Sequence, residues 1–194
     1  MKFNRREIKD LVIAWLIISL AFAILFIEIK NLFSSLFLIS LIISAFTVGI
    51  GFLLHEIMHK YFAQKYGLRA EFHAFYKMLF LALLFSFFGF IIVAPGAVFI
   101  SGRINKEKNG KISLAGPLTN IVLASLFFIV LLFLPVGIFR MIAYYGLSIN
   151  SLLALFNLIP VMPFDGKKIL NWNKSVYVFT VIFALFLFLS RYFI

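Results

Sequence analysis

The sequence predicts an all-α polytopic membrane protein, with about five transmembrane helices and a re-entrant hairpin carrying a short β element. Hydrophobic residues make up 64% of the 194 and charged residues only 13%, with a mean hydropathy of +1.11, more apolar surface than a soluble core needs. The apolar residues gather in six uncharged stretches, 11–27, 32–54, 78–102, 112–139, 141–164 and 175–190, most of them within the ~17–25 residues that a helix uses to cross a bilayer. The third stretch is broken: Gly89 interrupts it, Ala94-Pro95-Gly96 stops any helix, and Ala97-Val98-Phe99-Ile100 reads as a short strand.

The first stretch follows Lys2, Arg5, Arg6 and Lys9, and Ala21-Phe22-Ala23 imitates a signal-peptide cleavage site. The apolar run Leu11 to Ile27 is longer than a signal core and continues past the Ala pair, so an uncleaved first span is expected. In the second stretch, Leu32 to Leu54, Gly49 and Gly51 fit either close backbone approach or ordinary helix packing. For the third, basic residues decide the topology. If it dips in and returns to the same side, the cytoplasmic loops hold 15 of the 18 Lys and Arg, leaving Lys30, Arg140 and Arg191 outside. If it crosses, the split is 10 against 8. The positive-inside rule selects re-entry, with a cytoplasmic N-terminus and with the loop holding Asp165 on the same face as His59. A strand at membrane depth is tolerated only where it is buried in protein or lines a wet cavity.

No segment is long and polar enough for a separate extramembrane unit, so 1–194 reads as one membrane-embedded domain in the cell membrane. Net charge +11 does not imply nucleic acid, because the basic residues lie scattered in short loops rather than along one face. The 27 Phe residues read as lipid-facing and interhelical filling, and Trp15 and Trp172 suit interfacial or packing positions.

Chemistry enters at His55-Glu56-Ile57-Met58-His59, which closes the second stretch. On a helix the two imidazoles, four residues apart, lie about 40° from each other and can grip one metal, with Glu56 flanking them as a base for bound water. Ionisable groups beside a spanning helix cost a few kcal/mol each, so they mark a function or a partner. With no Cys in the chain, a metal must be held by His and carboxylate. A third ligand has few sources among the seven acidic residues. Glu7 and Asp10 precede the first span, Glu28 lies at the opposite face, and Glu107 sits in a basic loop. Glu71 and Asp165 remain, and Asp165 is favoured because Pro160, Pro163 and Gly166 fix its local backbone. The remaining histidine, His73, has no partner at ligand spacing and reads as a loop or interface residue.

Asn157-Leu158-Ile159-Pro160-Val161-Met162-Pro163-Phe164-Asp165-Gly166 resembles the NxxPxxPxDG motif of the site-2 protease family of intramembrane zinc metalloproteases, in a compact form without appended domains. Ala115-Gly116-Pro117-Leu118-Thr119-Asn120 resembles that family's AGPxxN motif, and with HExxH the three stand in family order over about 45–172. The resemblance implies one zinc ion per chain bound by His55, His59 and Asp165, with Glu56 as catalytic base and Asn120 assisting at the active site by hydrogen bonding. An Asn at this place also serves simply to bond neighbouring helices. Met58 departs from the small residue usual there, and Met is pliable enough to fit irregular gaps.

The expected activity is hydrolysis of a peptide bond in or near a transmembrane segment of a membrane-protein substrate, through an active site opening to the cytoplasm. The strand edge Ala97 to Ser101 would pair with the unwound substrate. Any control would come from the substrate, an earlier cut or a regulatory membrane partner. The alternatives are a catalytically silent scaffold or chaperone and a metal-ion transporter, which also places His, Glu and Asp within the membrane.

Overall fold

The computed structural model describes residues 1–27, 32–91 and 95–194. Glu28 and Lys30, assigned above to the outer face, and Ala94 of the expected helix break lie outside the described residues. The chain packs as two compact units, one of residues 1–53 and 70–99, the other of 54–69 and 100–194.

In the first unit, α1 (Arg5–Phe26) starts where the Asn4 side chain accepts the Glu7 N–H at 2.8 Å, a cap that contributes about 1 kcal/mol. Ala21 and Ala23 are fully buried inside this continuous helix. Helix α2 (Ser35–Ser44) passes through a π turn at Ala45–Gly49 into α3 (Ile50–Lys65). A π turn loosens the backbone ladder, and here Trp15 Nε1 donates to the Ala45 carbonyl at 3.2 Å. The Trp15 indole occupies the place where a Cβ on Gly49 would stand, so Gly49 serves close approach to a half-buried Trp15.

Strands β1 (Arg69–Ala74) and β2 (Gly96–Ser101) pair as a two-stranded sheet. The second matches the strand expected at Ala97 to Ile100; the first lies in a segment counted above among the cytoplasmic loops. Its alternate residues Ala70 and Phe72 are buried, and N–H groups two residues apart point to one edge of a strand. Helix α1 meets that edge with carboxylates. Glu7 Oε1 accepts the Phe72 N–H at 3.0 Å, and Asp10 accepts the Ala74 N–H at 3.1 Å and the Tyr76 hydroxyl at 2.5 Å. Glu7 and Asp10 therefore belong to the first helix, 1% and 3% exposed, rather than preceding it.

The third apolar stretch holds α4 (Tyr76–Ser86), only 11 residues long, and then β2. Helix α4 runs out through Gly89, whose φ of +82° suits a residue without a Cβ. No described helix in this stretch is long enough to cross.

The second unit adds α5 (Lys106–Phe133), α6 (Ile138–Asn157), α7 (Asp165–Trp172) and α8 (Lys174–Ser190). Their core comprises Ile121, Leu131, Leu147, Leu158, Ile169 and Leu187 among others. Asn105 and Asn173 cap α5 and α8 through bonds to Lys108 N and Val176 N. Trp172 packs against Gly110, with Lys111 over its ring. Arg140 donates to the Leu131, Leu134 and Ile194 carbonyls and so occupies carbonyls at the end of α5.

Among the described residues, four helical runs are long and apolar enough to cross a membrane: Arg5–Phe26, Ser35–Lys65, Lys106–Phe133 and Ile138–Asn157. The sequence counted α8 among about five spans. It has 17 residues, or about 25 Å at 1.5 Å per residue, the short end of the ~17–25 residues that cross a bilayer.

Candidate metal centre

Every group of this site belongs to the second unit. On α3, His55 and His59 lie one turn apart, and their Nε2 atoms approach to 3.0 Å. Asp165, at the start of α7, brings Oδ2 to 3.0 Å from His59 Nε2 and 3.5 Å from His55 Nε2. The three residues are at most 8% exposed. Among the described residues they form the one group whose ligand atoms all converge within 4.8 Å.

Two glycines make this convergence sterically possible. A Cβ on Gly116 of α5 would fall on both imidazole Nε2 atoms, so the backbone there leaves room beside the donors. A Cβ on Gly166 would strike the Leu158 carbonyl, so only glycine lets the start of α7 lie against the end of α6. One residue after Gly116, Pro117 offers no N–H to the Ser113 carbonyl, which opens the α5 ladder next to the carbonyl that His59 uses.

The other face of each imidazole fixes its protonation. His59 Nδ1 lies 2.8 Å from the Ile112 carbonyl, which can only accept, so the proton sits on Nδ1 and the Nε2 lone pair points into the site. His55 Nδ1 lies 2.6 Å from Asn120 Oδ1, with the same consequence. Two nitrogen lone pairs and a carboxylate oxygen thus face one small volume. Such an arrangement is repulsive without a cation, and nitrogen and oxygen donors in this number match a catalytic zinc site that keeps one position for water. Zinc fits these residues.

A metal ligand at this position requires the carboxylate form of Asp165. Its second oxygen, Oδ1, stands 3.3 Å from Lys168 Nζ, one turn along α7.

Glu56 is half-buried on α3, about 100° around the helix from His55, and is not one of the three converging groups. Asn120 is fully buried and touches His55. Glu71, the other candidate ligand, lies on β1 with His73 at 4.0 Å and does not join the cluster. His73 also meets the Phe99 ring, at 5.3 Å between centroids. Sequence reasoning missed Lys168, the Ile112 carbonyl, Gly116 as a space-maker and Asn150. For Asn150 the signal is a carboxamide inside an uncharged run.

A buried His, His, Asp donor set, its two imidazoles carried on a long apolar helical run, defines a metal-binding membrane protein. No family model and no solved structure matches the chain. Over 179 residues it is 44% identical to the "Putative zinc metalloprotease MJ0611" of Methanocaldococcus jannaschii, covering 91% of this chain and 89% of that one. Over 151 residues it is 32% identical to the "Zinc metalloprotease MJ0392" of the same organism, covering 77% of this chain and 39% of that longer protein. The chain belongs to this zinc metalloprotease family, and zinc is its metal.

Proposed function

We propose that the chain is an intramembrane endopeptidase of the site-2 type, hydrolysing a peptide bond in or near a transmembrane segment of a membrane-protein substrate. The observation that carries this reading is where the donor set stands. His55 and His59 lie on the apolar run Ser35–Lys65, and their partners Ile112 and Asn120 lie on Lys106–Phe133, both long enough to span a bilayer. In this reading His55 Nε2, His59 Nε2 and Asp165 Oδ2 hold the metal. Bound zinc supplies a water of lowered pKa and polarises the scissile carbonyl. The Glu56 carboxylate takes the proton of the attacking water and returns it to the leaving amine nitrogen. Asn120 works through His55, whose orientation it fixes. The basic residues favour a cytoplasmic N-terminus and a cytoplasmic opening.

A substrate helix hides its peptide bonds and must be extended before cleavage. Because the Glu7 and Asp10 carboxylates already use the outer edge of β1, an extended segment adds at β2. Val98→Pro then lowers cleavage severalfold at unchanged zinc content; equal cleavage would end the strand-addition idea.

The whole reading is tested in liposomes carrying the protein and a single-span reporter substrate. Cleavage stops when a chelator strips the zinc and returns when zinc is restored. Cleavage that persists without zinc would refute it, as would zinc carried across the membrane by a protein that never cuts.

A further inference from the structure

Behind the metal ligands a line of carboxamides runs from α5 into α6. The Asn120 side-chain amide donates to Asn150 Oδ1 at 3.1 Å, and the Asn150 amide donates to the Gly146 carbonyl at 2.9 Å. Both asparagines are 0% exposed. We infer that Asn150 is a positioning residue for the metal centre: it sets which way Asn120 faces, and through Asn120 it selects the His55 tautomer that can bind a metal.

The inference rests on His55 being a ligand, and its logic is one of hydrogen-bond direction. A carboxamide has one accepting end and one donating end, and turning it over exchanges them. The Gly146 carbonyl only accepts, so the donating end of Asn150 must face it. Asn150 Oδ1 is then left to face Asn120 and calls for that residue's donating end. Asn120 Oδ1 is thereby turned to His55 and requires a proton on Nδ1. The lone pair falls on Nε2, 3.0 Å from His59 Nε2, where the other donors converge. A reversed Asn120 would present an N–H to His55 Nδ1, move the ring proton to Nε2 and aim it at the metal position. An α6 backbone carbonyl, reaching His55 through two side chains, thus fixes the polarity of a ligand on α3. His59 needs no such relay, because the Ile112 carbonyl meets its Nδ1 directly.

A direct measurement and a double substitution test this. In zinc-free protein with 15N-labelled histidine, held at pH 8.5 in detergent, the His55 resonances should report the Nδ1–H tautomer; the Nε2–H tautomer would overturn the inference whether or not any variant folds. Zinc affinity is then measured by competition with a chromogenic chelator. Asn150→Leu, similar in size but unable to bond, should weaken zinc binding about 10- to 100-fold, the usual effect of losing an outer-shell partner, and shift the His55 tautomer. Asn120→Asp makes both oxygens of that side chain acceptors, so it presents an acceptor to His55 whichever way it turns. In that background Asn150→Leu should change zinc affinity less than about threefold. An equal loss in both backgrounds would mean that Asn150 only packs α6 on α5, and no loss in either would equally overturn the inference. His55→Ala serves as the control: if it retains full zinc affinity, the metal-site reading fails and the inference with it. If it loses zinc while Asn150→Leu keeps it, only the inference fails.

Discussion

Glu56→Gln retains about one zinc per chain and loses cleavage by about 10²- to 10⁴-fold, the range over which a positioned general base contributes. The amide matches the carboxylate in size, and Glu56 is not among the groups converging on the metal position, so the donor set of His55, His59 and Asp165 is undisturbed. What disappears is the proton acceptor. Measuring zinc content and cleavage on one purified sample separates the two properties. Cleavage within tenfold of wild type would remove Glu56 from the role of base. Cleavage lost together with zinc would instead make it part of the metal site. The same variant separates a protease from a silent scaffold, which needs no carboxylate to move protons.

The convergence of His55, His59 and Asp165 was largely legible because its constraints are local. Two histidines four residues apart share a helix face whatever surrounds them, and the Pro160, Pro163, Gly166 setting of Asp165 marks a fixed loop rather than a continuing span. The supports behind the ligands were less visible. Asn120 stands in a motif, whereas Asn150 looks like any polar residue in an apolar helix until its neighbour across the α5 and α6 contact is known. Lys168 reads as one more cytoplasmic charge, although it faces Asp165 Oδ1.

The first unit was misread where tertiary partners override local pattern. Arg69–Ala74 is short and flanked by basic residues, so its alternation of buried Ala70 and Phe72 is too brief to stand out from a loop. What makes it a strand is β2 on one edge and the α1 carboxylates on the other. The same bonds explain how Glu7 and Asp10 come to be buried in a helix of apolar character, since an ionised carboxylate accepting backbone N–H groups is compensated for leaving water. Four of the expected spans appear among the described residues as helical runs long enough to cross. Hydropathy identifies apolar runs, but the folded helix lengths decide crossing, and α3 runs on through charged Lys60 to Lys65 while α8 stops at 17 residues.

Asp165→Ala should remove zinc almost completely, weakening binding by more than the ~10- to 100-fold that outer-shell changes cost. Three consequences of the geometry combine to make the effect large. The site falls from three protein donors to two, below what a catalytic zinc usually has. The one anion that balances the metal's charge in this buried pocket is lost, where an uncompensated charge is costly. Lys168 Nζ, 3.3 Å from Asp165 Oδ1, also loses its partner and leaves a cation beside the vacated ligand position. Lys168→Met provides the contrast, since it keeps all three donors and should cost at most about tenfold in zinc affinity. Comparing the two by chelator competition, with helix content checked by circular dichroism, separates loss of a ligand from loss of its support. Zinc binding unaffected by Asp165→Ala would return the search to the other carboxylates, with Glu71 first, and would mean that the donor set seen here is not the one that holds the metal.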